Sequence, residues 1–90
     1  MTSTDATVTG VTVRVLLFAS YAERLGQEAV ELTVPPGATV GRVLEMIRAL
    51  PGGDRLPAHP LCALNLSHVG PDARVSAGDE LAILPPLAGG

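Results

Sequence analysis

From residue 11 to 17 and again from 28 to 34 the apolar residues of this chain return at every second position, and from residue 40 to 50 they return at every third or fourth. Val11, Val13, Val15 and Leu17 alternate with Thr12, Arg14 and Leu16, which predicts a β-strand with one well-defined apolar face. Residues 28–34 repeat the pattern, with Val30, Leu32 and Val34 on one face and Glu31 and Thr33 on the other. Between them, residues 20–25 can form a short helix that Gly26 stops in the left-handed conformation. The short connection predicts an antiparallel pair. Pro35-Pro36-Gly37 ends the second strand, and Thr39 is suited to cap a helix whose apolar face is Val40, Val43, Leu44, Ile47 and Leu50. Pro51-Gly52-Gly53 terminates that helix.

The rest of the chain is shorter-ranged. Residues 54–60 read as an irregular crossover, and residues 61–66 as a third strand. Gly70-Pro71-Asp72 and Ala77-Gly78-Asp79 read as turns, and residues 80–84 as a last strand. Pro85 and Pro86 cannot donate to a ladder, so pairing stops there. One helix packed across a mixed sheet of four to five strands is the simplest two-layer solution, an α+β fold. Residues 1–10 carry no periodic signal and are expected to be a disordered leader. Residues 11–84 form the domain, and residues 85–90 an extended C-terminal tail.

Composition narrows the function. Ninety residues make one small domain, which buries only about 60% of its unfolded surface. With one Tyr and one Phe the core must be aliphatic, and no stacking platform for single-stranded nucleic acid exists. The net charge of −3 and the lack of a basic stripe argue against any nucleic-acid partner. All six basic residues are arginines, so no lysine of this chain can serve as Schiff base or general acid. The one cysteine, Cys62, excludes an internal disulfide and a thiolate cluster, and fits a reducing cytoplasm. No signal peptide is visible, and the longest apolar run is far too short to span a bilayer.

Several residues invite functional readings that the sequence does not sustain. Cys62 lies among Leu61, Ala63 and Leu64 and reads as a small buried hydrophobe. His59-x-x-Cys62 lacks further ligands, so no metal site is expected, and His59 and His68 read as surface histidines. Asp79 and Glu80 are adjacent and would point to opposite faces of a strand, which suits a turn and a strand start better than paired acid–base work. Asn65 is expected to fix the turn after its strand. Phe18, at the end of the first strand, is expected to pack into the core, with a contact role as the alternative.

The chain ends Pro85-Pro86-Leu87-Ala88-Gly89-Gly90. Prolines stiffen the exit from the sheet, and the two glycines remove side-chain bulk at the tip. Six residues reach at most about 20 Å, a shape suited to a narrow channel in another protein. The α-carboxylate is ionised at neutral pH. It can attack the α-phosphate of ATP if a partner supplies Mg²⁺ and phosphate clamps. Leu84 and Leu87 flank the prolines; Leu84 is either the last core residue of its strand or part of a docking surface.

Asn65, Val69, Asp72, Val75, Gly78-Asp79-Glu80, Pro85-Pro86 and Gly89-Gly90 together resemble the signature of the molybdopterin synthase small subunits, within the MoaD/ThiS sulfur-carrier family. Residues 13–26 (VRVLLFASYAERLG) are similar to that family's first strand and short helix. The resemblance covers residues 11–90 and implies a ubiquitin-like β-grasp fold. It implies that Gly90 becomes an acyl-adenylate on an ATP-dependent adenylating enzyme and then a thiocarboxylate by reaction with a sulfur donor. Seated in the synthase large subunit, the thiocarboxylate would give its sulfur to a cyclic pyranopterin monophosphate to form molybdopterin. Leu84, Pro85, Pro86, Leu87, Ala88 and Gly89 would make the tail and partner contacts. Catalytic side chains are expected on the large subunit. No cofactor would be held permanently; ATP and Mg²⁺ are used by the adenylating partner, and no membrane is involved. The chain departs from the family at Ala22, where many members carry Arg, and at His68, where an apolar contact residue is expected. Carriers for thiamine, cysteine or transfer-RNA thiolation share this chemistry. A ubiquitin-like protein modifier and a binding module with an inert tail are the alternatives of other classes.

Overall fold

The computed structural model describes residues 10–57 and 60–85. Residues 1–9, 58–59 and 86–90 lie outside the described residues, so His59, nearly all of the leader and most of the tail named above have no structural account.

Strand β1 (Val11–Leu17) leads through helix α1 (Ser20–Leu25) to β2 (Ala29–Val34). Helix α2 (Val40–Arg48) and a 3₁₀ turn (Gly53–Arg55) follow, then β3 (Leu61–Leu64), β4 (Ser67–Val69) and β5 (Glu80–Leu84). The five strands form one mixed sheet in the order β2-β1-β5-β3-β4. β1 pairs antiparallel with β2, Val13 facing Leu32 and Val15 facing Val30. β5 runs parallel to β1, with Leu17 beside Ile83, and antiparallel to β3, with Leu61 beside Leu84.

The alternation decides what is inside. Val13, Val15 and Leu17 of β1 and Leu81 and Ile83 of β5 are buried against Tyr21 of α1 and Val40, Val43, Leu44 and Ile47 of α2. Each such side chain contributes about 1.5–3 kcal/mol by leaving water. Both helices use that face; the other carries no described element. Thr39 caps α2, its hydroxyl accepting the Arg42 N–H at 3.3 Å. Gly26 ends α1 at a φ of 73°. Gly52 and Gly53 allow a close approach instead: a β-carbon would overlap the Arg24 carbonyl at the first and the Ile47 carbonyl at the second.

The structure corrects five expectations. The strand expected over residues 61–66 ends at Leu64, and a separate strand, Ser67–Val69, follows a two-residue turn at Asn65-Leu66. Both turn residues have positive φ, 51° and 74°, which matches a type I′ hairpin. The second strand starts at Ala29 rather than residue 28, and the crossover contains the 3₁₀ turn. Phe18 is not in the core: it follows the last residue of β1 and is 43% exposed. Leu17 beside it is buried, so alternation turns Phe18 to the open face. Asn65 acts at a distance: its side chain holds the turn that precedes β5, not the turn after its own strand.

Candidate docking face and tail root

The tail grows out of β5, which has a strand hydrogen-bonded on either side. Its start is clamped. The Asn65 side-chain N–H donates to the Asp79 carboxylate at 3.0 Å, and the Asn65 side-chain oxygen accepts the Glu80 backbone N–H at 3.0 Å. The same carboxylate accepts the Ser76 N–H at 2.7 Å, and the Arg14 N–H donates to the Asp79 carbonyl at 2.9 Å. The Asp79 carboxylate is thereby committed to the turn, and Glu80 beside it is exposed on the open face. These two carboxylates do not form an acid–base pair.

At its far end β5 delivers Leu84 and Pro85, both half-buried. Registry places Leu61 opposite Leu84 and brings the end of β1 alongside through Leu17 and Ile83. Phe18, Leu84 and Leu61 therefore form one apolar row at the edge where the tail leaves. Phe18 and Leu61 are each 43% exposed. One step back, Ala29, Leu16, Ala82 and Ala63 form a second row that ends at the exposed His68 of β4. Where this row reaches β2 and the start of α1 there is a shallow cleft of about 470 Å³, lined by Arg14, Leu16, Phe18, Ala19, Glu28 and Ala29. Ala19 has a φ of 53° and a ψ of −127°, a conformation that L-residues seldom adopt and that stores strain where Phe18 is displayed.

The third row is charged. Arg14 lies opposite Glu31 on one side and Glu80 on the other. Among the described residues no ion pair joins these side chains, although Arg42 and Glu45 pair at 3.3 Å on α2. The open face thus passes from apolar at the tail root to charged at the opposite end.

Of the residues expected to serve the site, Leu84 and Pro85 are described and stand at the tail root. Pro86, Leu87, Ala88, Gly89 and Gly90 lie outside the described residues. Sequence reasoning missed Leu61 and Ala63 as parts of the face, and placed Phe18 in the core. Period-two alternation carried the signal for all three, because each neighbours a buried residue. Cys62 faces inward and is 4% exposed, with its thiol donating to the Pro60 carbonyl at 3.7 Å. Burial pushes its pKa up, partly offset by the positive charge of Arg48. Among the described residues no group of three His, Cys, Asp or Glu side chains could hold a metal ion, and no helix is long and apolar enough to cross a membrane.

A mixed five-stranded sheet with a helix packed across it and a tail leaving the central strand defines a ubiquitin-like β-grasp protein. Residues 15–90 match the model of the ThiS family, and the chain belongs to that family. It is 36% identical over 81 residues to the molybdopterin synthase sulfur carrier subunit of Arabidopsis thaliana, covering 89% of this chain and 84% of that protein. The structure superposes on the small archaeal modifier protein 1 of Haloferax volcanii with a TM-score of 0.76 at 31% identity, covering 87% of this chain and 100% of that one. A complex of subunits 1 and 2 of the molybdopterin-converting factor from Helicobacter pylori shares the fold, with a TM-score of 0.66 at 18% identity over 89% of this chain and 100% of that chain.

Proposed function

We propose that this protein is the sulfur carrier of a molybdopterin synthase, working through a thiocarboxylate on Gly90. The observation that carries the reading is the tail root: a strand tied on both sides ends at Pro85 beside the apolar row Phe18–Leu84–Leu61. The row gives a partner an adhesive surface, and the tied strand fixes the direction in which the tail is presented. Membership of the ThiS family and the Arabidopsis relative support the choice of chemistry.

In the proposed sequence, the Gly90 carboxylate attacks the α-phosphate of ATP on an adenylating enzyme, and pyrophosphate leaves. A sulfur donor attacks the acyl carbon, AMP leaves, and a thiocarboxylate remains. The carrier then docks on the synthase large subunit, where the sulfur attacks the cyclic pyranopterin monophosphate. Two such transfers build the dithiolene. This chain supplies no catalytic side chain to these steps. Its residues present the acyl group and hold the partner, and the absence of lysine from the sequence removes side-chain amines that would compete for the activated acyl group.

The test is the intact mass after incubation with the adenylating enzyme, ATP and a sulfur donor. The expected gain is that of one sulfur replacing one oxygen, abolished by deleting Gly90. No gain, with the enzyme proven competent on another carrier, overturns the thiocarboxylate reading. The likeness to the archaeal modifier protein favours a second reading, in which Gly90 is joined to lysines of other proteins; isopeptide-linked remnants of residues 75–90, left on cellular proteins after cleavage at Arg74, would reveal it.

A further inference from the structure

We infer that the row Glu31–Arg14–Glu80 is the element by which this face selects its partner, and that the synthase large subunit carries the complementary order of charges against it. The inference rests on the function proposed above and adds the specificity of the same docking surface.

Three observations carry it. First, strand registry places Arg14 directly opposite both carboxylate residues, where cross-strand neighbours stand about 4.5–5.5 Å apart at their β-carbons. Yet among the described residues no ion pair closes between them. All three are exposed, so their charged groups stay available to another surface. Second, Arg14 lines both clefts of the open face. One is the cleft with Phe18 and Glu28; the other, of about 490 Å³, is lined by Gly10, Thr12, Glu31, Asp79 and Glu80. A partner side chain entering either cleft meets the Arg14 guanidinium. Third, the row is continuous with the apolar rows at the tail root. Arg14 lies four residues before Phe18, about 13 Å along the strand. A partner covering about 800 Å² has a footprint of roughly 16 Å radius. Centred on Leu16 and Ala82, that footprint includes the whole charged row.

The apolar rows supply adhesion without telling one apolar partner from another. An alternating order of negative, positive and negative charge does tell them apart, because a partner with the wrong order faces like charges at several positions. The carboxylate that Arg14 meets can be gripped by two parallel hydrogen bonds, which lysine could not supply.

Two double variants test this. Arg14→Gln with Glu80→Gln keeps the net charge and deletes the order; Arg14→Glu with Glu80→Arg keeps the net charge and rearranges the row to negative, negative, positive. Binding to the cognate large subunit is measured by calorimetry at several salt concentrations, with thermal melts confirming that each variant is folded. The expected result is at least a tenfold rise in Kd for the deletion, a larger rise for the rearrangement, and a shallower salt dependence for the deletion. Kd values within twofold of the native chain for both variants would overturn the inference. Failure of the underlying reading looks different: the native chain would then gain no sulfur and would not bind the large subunit at all.

Discussion

Asn65 and Asp79, fourteen residues apart in the chain, meet side chain to side chain at 3.0 Å and tie the β3–β4 hairpin to the turn that launches β5. The Asn65 side-chain oxygen also accepts the Glu80 N–H. Replacing Asn65 with Gly removes both bonds while keeping the positive φ easy. At about 0.5–1.5 kcal/mol for each bond, Asn65→Gly is expected to lose about 1–3 kcal/mol in urea unfolding. Asn65→Ala should lose more, because alanine resists a φ of 51°. Equal stability of the glycine variant and the native chain would mean that the clamp contributes nothing.

Leu66 occupies the second position of the same hairpin with a φ of 74°, and its side chain is 96% exposed. Left-handed backbone costs an ordinary L-residue about 1–2 kcal/mol, and glycine gives back part of that through its looser unfolded chain. Leu66→Gly is therefore expected to raise stability by about 0.5–1 kcal/mol, read as a higher melting temperature. A lower one would show that Leu66 is held by contacts its exposure does not suggest.

This hairpin also shows where the sequence stops being legible. Strands β1, β2 and β5 and helix α2 were readable because each buries one regular face, so period alone marks them. Strand β4 has three residues and one inward side chain, Val69, too few for a period. Its turn reads Asn-Leu where a hairpin signal would be Asn-Gly. The proposed docking face was half legible. The tail announces itself by Pro85-Pro86 and Gly89-Gly90, but the rows beside it exist only once β1, β5 and β3 lie side by side. Phe18 was misplaced because an aromatic residue after a buried leucine looks like more core until the strand's end is known.

The close approaches at Gly52 and Gly53 fix how α1, α2 and the 3₁₀ turn meet. A β-carbon at Gly53 would overlap the Ile47 carbonyl, and that atom belongs to the helix backbone and cannot swing aside. Gly53→Ala should cost about 1–3 kcal/mol or more. Gly70→Ala makes the control, since a β-carbon there meets nothing within 4 Å; its melting temperature should stay close to native. Similar melts for both variants would contradict the packing described.

Cys62 predicts a pH dependence. Burial raises the folded thiol above its ordinary pKa, with Arg48 partly opposing. The folded state then holds its proton more tightly than the unfolded state. Stability from this source is complete below the unfolded thiol's value, about 8.5. It falls as pH rises from there through the folded value. Unfolding free energy of the native chain should decline above about pH 8.5, and Cys62→Ala should lack that component of the slope. Thiol reagents should modify Cys62 only as fast as the protein opens, so identical modification rates for native and urea-unfolded protein would contradict the burial.

Phe18 gives the sharpest separation of docking from folding. It is 43% exposed beside the tail root, so Phe18→Asp should change stability by no more than about 0.5 kcal/mol, as for an ordinary surface position. At the centre of an interface the same change puts a carboxylate where an aromatic anchor was. Interface anchors cost about 2 kcal/mol or more on truncation, equivalent to roughly a thirtyfold loss of affinity. The expected outcome is a native melting curve with binding to the large subunit weakened at least thirtyfold. Glu45→Gln, on exposed α2 across the sheet from this face, should bind as the native chain does. If Phe18→Asp bound normally, the apolar row would not be the docking surface and the tail alone would have to hold the partner. Six residues could still thread a channel, but nothing in the body of the protein would then set the direction from which they enter.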